Sequence, residues 1–208
     1  MAYILSEDYK PTLELLIKAN QLSEKKDFEG ALAAYNELIG IMGETSEVLA
    51  AQAMCYFRSA FEHNKDIRQN YAKMVAAMQK AISLSPNDSS LYNMLAWYYI
   101  WGTVNYEKAI EMYRKSLELN PDNLEALVGA AGLYDYPEEV IELDEATGYL
   151  ERAVKVAPAE QDNWYNLASF YGKAGRIEEA EKALTRSLLS QNKVDSDAVI
   201  NDWLEPEE

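Results

Sequence analysis

The chain has 208 residues, 49% of them apolar, with only 9 glycines and 6 prolines, which excludes global disorder and favours helices over a turn-rich sheet. The formal charge of −16 is uneven: residues 1–104 carry 9 basic and 12 acidic side chains, residues 105–208 carry 10 and 23. Such an acidic surface repels phosphate backbones and anionic lipid, which sets nucleic acid and membrane surfaces aside as partners. Cys55 is the only cysteine, so no intrachain disulfide can form, and it falls in an apolar stretch as a small core residue. Met1–Lys10 lacks the basic start and long apolar run of a secretory leader, and no apolar run approaches the roughly 18 residues of a membrane span. The expectation is a reducing, cytoplasmic setting.

In chain order, Tyr3, Ile4 and Leu5 form an apolar tip before Pro11, expected to pack locally or to dock in a neighbouring molecule. Five helix pairs follow. Apolar periodicity predicts first helices near 11–25, 45–61, 88–101, 122–134 and 160–174, and second helices near 27–41, 69–84, 105–119, 142–156 and 176–190. One column of alanines sets the register: Ala19, Ala53, Ala96, Ala131 and Ala168. Four residues before them stand Leu15, Leu49, Tyr92, Leu127 and Trp164; three after stand Leu22, Tyr56, Tyr99, Tyr134 and Tyr171. Large, small, large at that spacing is one helical face. In the second helices Ala31, Met74, Ala109, Ala146 and Ala180 fill the equivalent small slot.

From alanine to second-helix small residue the separations are 12, 21, 13, 15 and 12 residues, whereas from there to the next alanine the separation is always 22. Every insertion therefore falls in the turn inside a pair. Pro86, Pro121 and Pro158 end second helices, Asp88 and Asp122 are expected N-caps, and Lys115 and Lys155 are expected to face the helix dipole late in their helices. From Ser196 to Leu204, Val199 with Trp203 and Ile200 with Leu204 pair at four-residue spacing, as in a short capping helix.

The last pair carries the most specific pattern. In WYNLASFYGKAGRIEEAEKALTRSL, Trp164, Leu167, Ala168 and Tyr171 share a helical face, Gly175 breaks the helix, and Ala180 and Leu184 resume the apolar stripe. This resembles the tetratricopeptide repeat signature, a two-helix unit. The resemblance implies an all-α fold: a right-handed α-solenoid (superhelix) of five tetratricopeptide-like helix pairs plus a C-terminal capping helix. The organisation expected is an N-terminal apolar tip over residues 1–11 and a repeat array over 12–192. Its repeats run about 12–45, 46–88, 89–123, 124–160 and 161–192, and a capping helix and acidic tail fill 193–208.

The resemblance also implies a non-catalytic adaptor or scaffold that takes a protein or peptide with an apolar segment in a concave groove. Residues near the alanines on the first helices then make the wall: Met54, Phe57, Arg58, Asn93, Met94, Trp97 and Trp101, followed by Val128, Gly129, Gly132, Tyr136, Tyr165, Asn166 and Ser169. Met and Trp suit apolar side chains, the glycines are expected to deepen the floor, and Asn93 and Asn166 offer amides to an extended backbone. Homo-oligomeric assembly through end faces or the N-terminal tip is the alternative reading. Some members of the family clamp the acidic tails of heat-shock chaperones with lysine, asparagine and arginine. The matching positions here are Leu16, Asn20, Ala51, Ser90 and Met94, of which only Asn20 agrees, so chaperone-tail binding is not expected.

No Gly-rich phosphate loop occurs, and one histidine, His63, with one cysteine cannot build a standard zinc site. The acidic run Asp135, Glu138, Glu139, Glu142, Asp144 and Glu145 has no basic residue within it and sits where a helix dipole favours acids. Neither a catalytic group, a cofactor nor a metal site is expected; a metal-dependent enzyme is the weakest reading.

Overall fold

The computed structural model describes residues 10–63 and 66–191. The apolar tip up to Tyr9, the capping helix expected over 196–204 and the acidic tail lie outside the described residues. Ten α-helices follow in order: α1 (Lys10–Glu24), α2 (Phe28–Met42), α3 (Ser46–His63), α4 (Ile67–Leu84), α5 (Ser89–Tyr98), α6 (Tyr106–Leu119), α7 (Leu124–Gly132), α8 (Leu143–Val156), α9 (Gln161–Lys173) and α10 (Ile177–Gln191). A π turn, Tyr99–Thr103, continues α5, and a 3-10 turn, Leu133–Asp135, continues α7. The chain divides between Val104 and Asn105 into two compact units. In the first, α1 packs on α2, α2 on α3, α3 on α4 and α4 on α5; in the second, α6 packs on α7, α7 on α8, α8 on α9 and α9 on α10.

The alanine column forms the seam. Ala19, Ala53, Ala96, Ala131 and Ala168 are all buried, as are Ala31, Met74, Ala109 and Ala146. A methyl group at the alanine positions lets neighbouring helices approach, and larger residues on either side fill the space that remains. In the first unit Ala19 and Ala31 sit in one core with Phe28, Tyr35, Leu38, Val48 and Cys55.

The three insertions are absorbed in three different ways. In the second pair the added residues lengthen the helices: α3 and α4 are 18 residues each, against 15 for α1 and α2. In the third pair the single added residue coincides with the π turn, whose Val104 N–H bonds to the Tyr99 carbonyl five residues back. A π turn holds one residue more than an α turn, so it takes up one insertion without ending the helix. In the fourth pair the added residues form the segment before α8, where Ile141 is buried and anchors the loop.

Helix ends follow local chemistry. Asp27, Asp88, Asn105 and Asn123 accept backbone N–H groups at the starts of α2, α5, α6 and α7. The N-cap of α7 is thus Asn123 and not Asp122. Asn123 also donates its amide to the buried Ser116 hydroxyl at 3.0 Å, and that tie from α7 to α6 places it at the cap. Lys155 lies in the last turn of α8, whereas Lys115 lies short of the last turn of α6 and pairs with Glu118. Gly175, at φ +73°, follows the end of α9 in the left-handed conformation that glycine adopts without strain.

The prolines have a second use. The Tyr92 hydroxyl donates to the Pro86 carbonyl at 3.0 Å, and the Trp164 indole N–H donates to the Pro158 carbonyl at 2.8 Å. An aromatic donor six residues on satisfies a carbonyl left open where the preceding helix stops. Leu127 cannot do this in the fourth repeat, and Arg152 bonds to the Pro121 carbonyl instead.

Candidate protein-binding surfaces

The expected wall residues fall into two groups, one in each unit. In the first unit a chain of rings runs between α3 and α5 with its π turn. Phe57 lies 4.8 Å from Trp97, centroid to centroid, 6.2 Å from Phe61 and 5.4 Å from Tyr98; Trp97 lies 6.3 Å from Trp101. The outer members are open to solvent: Phe61 is 69% exposed, Trp101 54% and Trp97 39%. Phe57, expected on the wall, is buried instead. It stands beneath Trp97 and Phe61 and is their support, because α3 turns it toward the α4 and α5 side, where Tyr71 and Tyr98 close over it. Met54, Asn93 and Met94 are half-buried along the same two helices.

Arg58 is also held within the fold. Its guanidinium reaches the Ser23 hydroxyl at 3.4 Å and lies 5.9 Å from the Phe28 ring centroid, which ties α3 to the first pair. Asn20 accepts the Tyr35 hydroxyl at 2.6 Å, so its amide oxygen serves packing inside the first repeat. Phe61 was legible four residues after Phe57 on one face of α3, and its position near the expected helix end hid it.

In the second unit the glycines differ from expectation. A Cβ on Gly129 would lie 2.5 Å from the Tyr113 hydroxyl, so this glycine admits a ring and does not deepen a floor; Gly132 is open. Tyr136 is half-buried against Tyr106, centroids 4.4 Å apart, and Val128 is half-buried. Tyr165, 60% exposed, and Ser169 line an open hollow of about 330 Å³ with Ile177 and Leu184; Asn166 is half-buried on the same helix.

The acidic run is not left to itself. Glu145 makes a bidentate bond with Arg114, 3.0 and 2.8 Å, and accepts the Tyr149 hydroxyl at 2.8 Å, while Asp135 pairs with Lys173. The Arg114 bonds hold the Glu145 carboxyl below the usual range. Among the described residues no group of three or more His, Cys, Asp or Glu side chains is arranged around a metal-sized space. Nor, among them, is any helix long and apolar enough to cross a membrane. Burial pushes the Cys55 thiol up to about 11, the state of a packed side chain.

Family models described as tetratricopeptide repeat match residues 89–123 and 142–199. Photosystem I assembly protein Ycf3 of Acaryochloris marina (strain MBIC 11017) is 36% identical over 138 residues, which cover 58% of this chain and 81% of the relative. The chain belongs to the tetratricopeptide repeat family. Tetratricopeptide proteins among solved structures share its fold. MamA aligns with a TM-score of 0.66 at 18% identity, covering 95% of this chain and 97% of the other. YrrB, described as a TPR protein with an unusual peptide-binding site, aligns at 0.59 and 18%, covering 97% and 98%. The class is all-α, of the α-solenoid kind. The tetratricopeptide repeat is a protein-interaction module, and that coarse function comes with the family.

Proposed function

We propose that this chain is a non-catalytic adaptor that holds an apolar peptide or helix segment against the aromatic stripe of α3 and α5. The observation that carries the reading is the run Phe61, Trp97 and Trp101, three large rings open to solvent, of which Phe61 and Trp97 rest on a buried Phe57 and Trp101 on Trp97. Exposed aromatics braced from beneath lose little side-chain freedom on binding, and such residues dominate the energetics of interfaces. Half-buried Met54 and Met94 supply adaptable apolar surface on the same helices. The peptide-binding site of YrrB, a protein of like fold, supports a peptide as the ligand class.

The non-catalytic part of the reading is supported by the state of the candidate groups. Within the acidic run Glu145 is engaged with Arg114 and Asp135 with Lys173, and the Cys55 thiol is packed against the Phe28 carbonyl at 3.8 Å. A cytoplasmic setting belongs to the same reading and is supported by a lone, buried cysteine.

The test is capture of partners from the native cell by the full chain, followed by affinity measurement with Trp97→Ala. A loss of about 2 kcal/mol or more is expected from removal of a central indole. Unchanged affinity in a folded variant rejects the stripe as the binding surface.

Self-association is the second reading, favoured by one observation. Leu13, Ile17, Ile41 and Met42, on α1 and α2, are each more than two-fifths exposed. Sedimentation at two concentrations separates the two: a concentration-independent monomer excludes assembly.

A further inference from the structure

Residues 105–208 are strongly acidic, yet α8, α9 and α10 enclose an open pocket of about 430 Å³ in which cations outnumber carboxylates four to two. Both carboxylates are already engaged. Glu179 is bound twice by Arg176, once at 2.7 Å through Nε, and Glu151 accepts Arg176 at 3.2 Å and the Tyr171 hydroxyl at 3.0 Å. A single arginine therefore occupies both acids. Lys155 on α8 and Lys182 on α10 are exposed and neither forms a close salt bridge among the described residues; Lys182 acts on Glu179 only through space, behind the Arg176 bonds. The Arg186 guanidinium stacks over the Trp164 ring, 5.1 Å from its centroid. That indole is itself fixed by its bond to the Pro158 carbonyl.

We propose that this pocket is a second binding site, specific for an acidic peptide segment in which carboxylates flank an apolar side chain. Lys155 and Lys182 receive the carboxylates, and Trp164 with Leu167 receives the apolar group. Charge complementarity favours this occupant: the surrounding surface repels anions, so the local excess of cations directs them to one place. The volume suits a few residues of peptide, and the apolar floor would be left uncovered by a simple inorganic anion. The site uses residues of α8, α9 and α10 and no part of the α3–α5 stripe. It is independent of the adaptor reading above.

The full chain is titrated into a fluorescein-labelled hexapeptide, Glu-Leu-Glu-Phe-Glu-Glu, and anisotropy is read beside the same peptide with glutamine in place of glutamate. The acidic peptide is expected to bind and the amide peptide not. Lys155→Gln with Lys182→Gln should weaken binding about tenfold or more, as should raising salt from about 50 to about 300 mM. Trp164→Leu should also weaken it, whereas Trp97→Ala should not. Equal binding of the two peptides, no binding to the wild-type chain, or full binding by the double lysine variant overturns the site. So does loss of binding in Trp97→Ala, which would move the peptide to the first unit. Circular dichroism of each variant separates unfolding from lost contact, and the surface lysine pair keeps the test available if Trp164→Leu fails to fold.

Discussion

Gly129 on α7 and Tyr113 on α6 share one volume: the tyrosine ring carbon Cζ and hydroxyl lie 2.5 Å from where a Cβ on Gly129 would stand. Tyr113 is 3% exposed, so the ring has nowhere to withdraw. Gly129→Ala is expected to destabilise the chain by about 2 kcal/mol through overpacking, although alanine is the better helix former. Urea unfolding of the variant measures it, and relief by Tyr113→Leu in the same background would tie the cost to that ring.

Tyr98 is fully buried in the ring cluster, and its hydroxyl has no hydrogen-bond partner among the described residues. Burial pushes its ionisation well above the ordinary phenol value. Tyr98→Phe keeps the ring and removes the unsatisfied oxygen. A gain of about 1 kcal/mol in unfolding free energy is expected, read from the denaturant midpoint.

Val104 closes the π turn at φ +51°, ψ +52°, a left-handed conformation that a β-branched side chain strains to adopt. It is exposed and contributes little packing. Val104→Asn is expected to raise stability by about 1 kcal/mol, because asparagine visits this region more readily. A fall in melting temperature would mean that the valine makes a contact worth more than its strain.

Glu145 gives a pH-dependent contribution whose sign follows from its depressed carboxyl. The Arg114 bonds favour the ionised form in the folded chain, so the stabilisation is present above the unfolded carboxyl value of 4.5 and is lost as pH falls through the lower folded value. Both side chains are about a third or more exposed, so solvent screening keeps the effect under about 1 kcal/mol. Glu145→Gln should therefore differ from wild type in melting temperature at pH 7, with the difference closing as the pH is lowered below 4.5.

Binding by the first-unit stripe should respond in a graded way to position. Trp97→Ala removes a ring that contacts Phe57, Tyr98 and Trp101, whereas Phe61→Ala removes a ring that contacts Phe57 near the end of α3. Loss of about 2 kcal/mol is expected for Trp97 and less for Phe61, since central, braced aromatics carry most of an interface. Isothermal titration with the captured partner measures both. Equal, negligible losses would remove the stripe from the mechanism.

The alanine column, the constant separation of 22 residues and the prolines made the helix pairs legible in the sequence, because a buried seam demands small residues at a fixed period. The same periodicity could not say how an insertion is absorbed. Nine added residues became longer helices and one became a π turn, outcomes that depend on what each helix packs against. Nor could it sort exposed aromatics from buried ones: Phe57 and Trp97 both occupy wall positions by spacing, yet one supports and the other faces water. Pairings such as Arg114 with Glu145 and Lys173 with Asp135 join residues more than thirty positions apart, and only packed helices bring them into reach. The sequence by itself determined the repeat and its seam, since those are fixed by local period and side-chain size. The tertiary structure decided which rings are free and which charges remain unpaired, since exposure and pairing depend on neighbours that the linear order does not place.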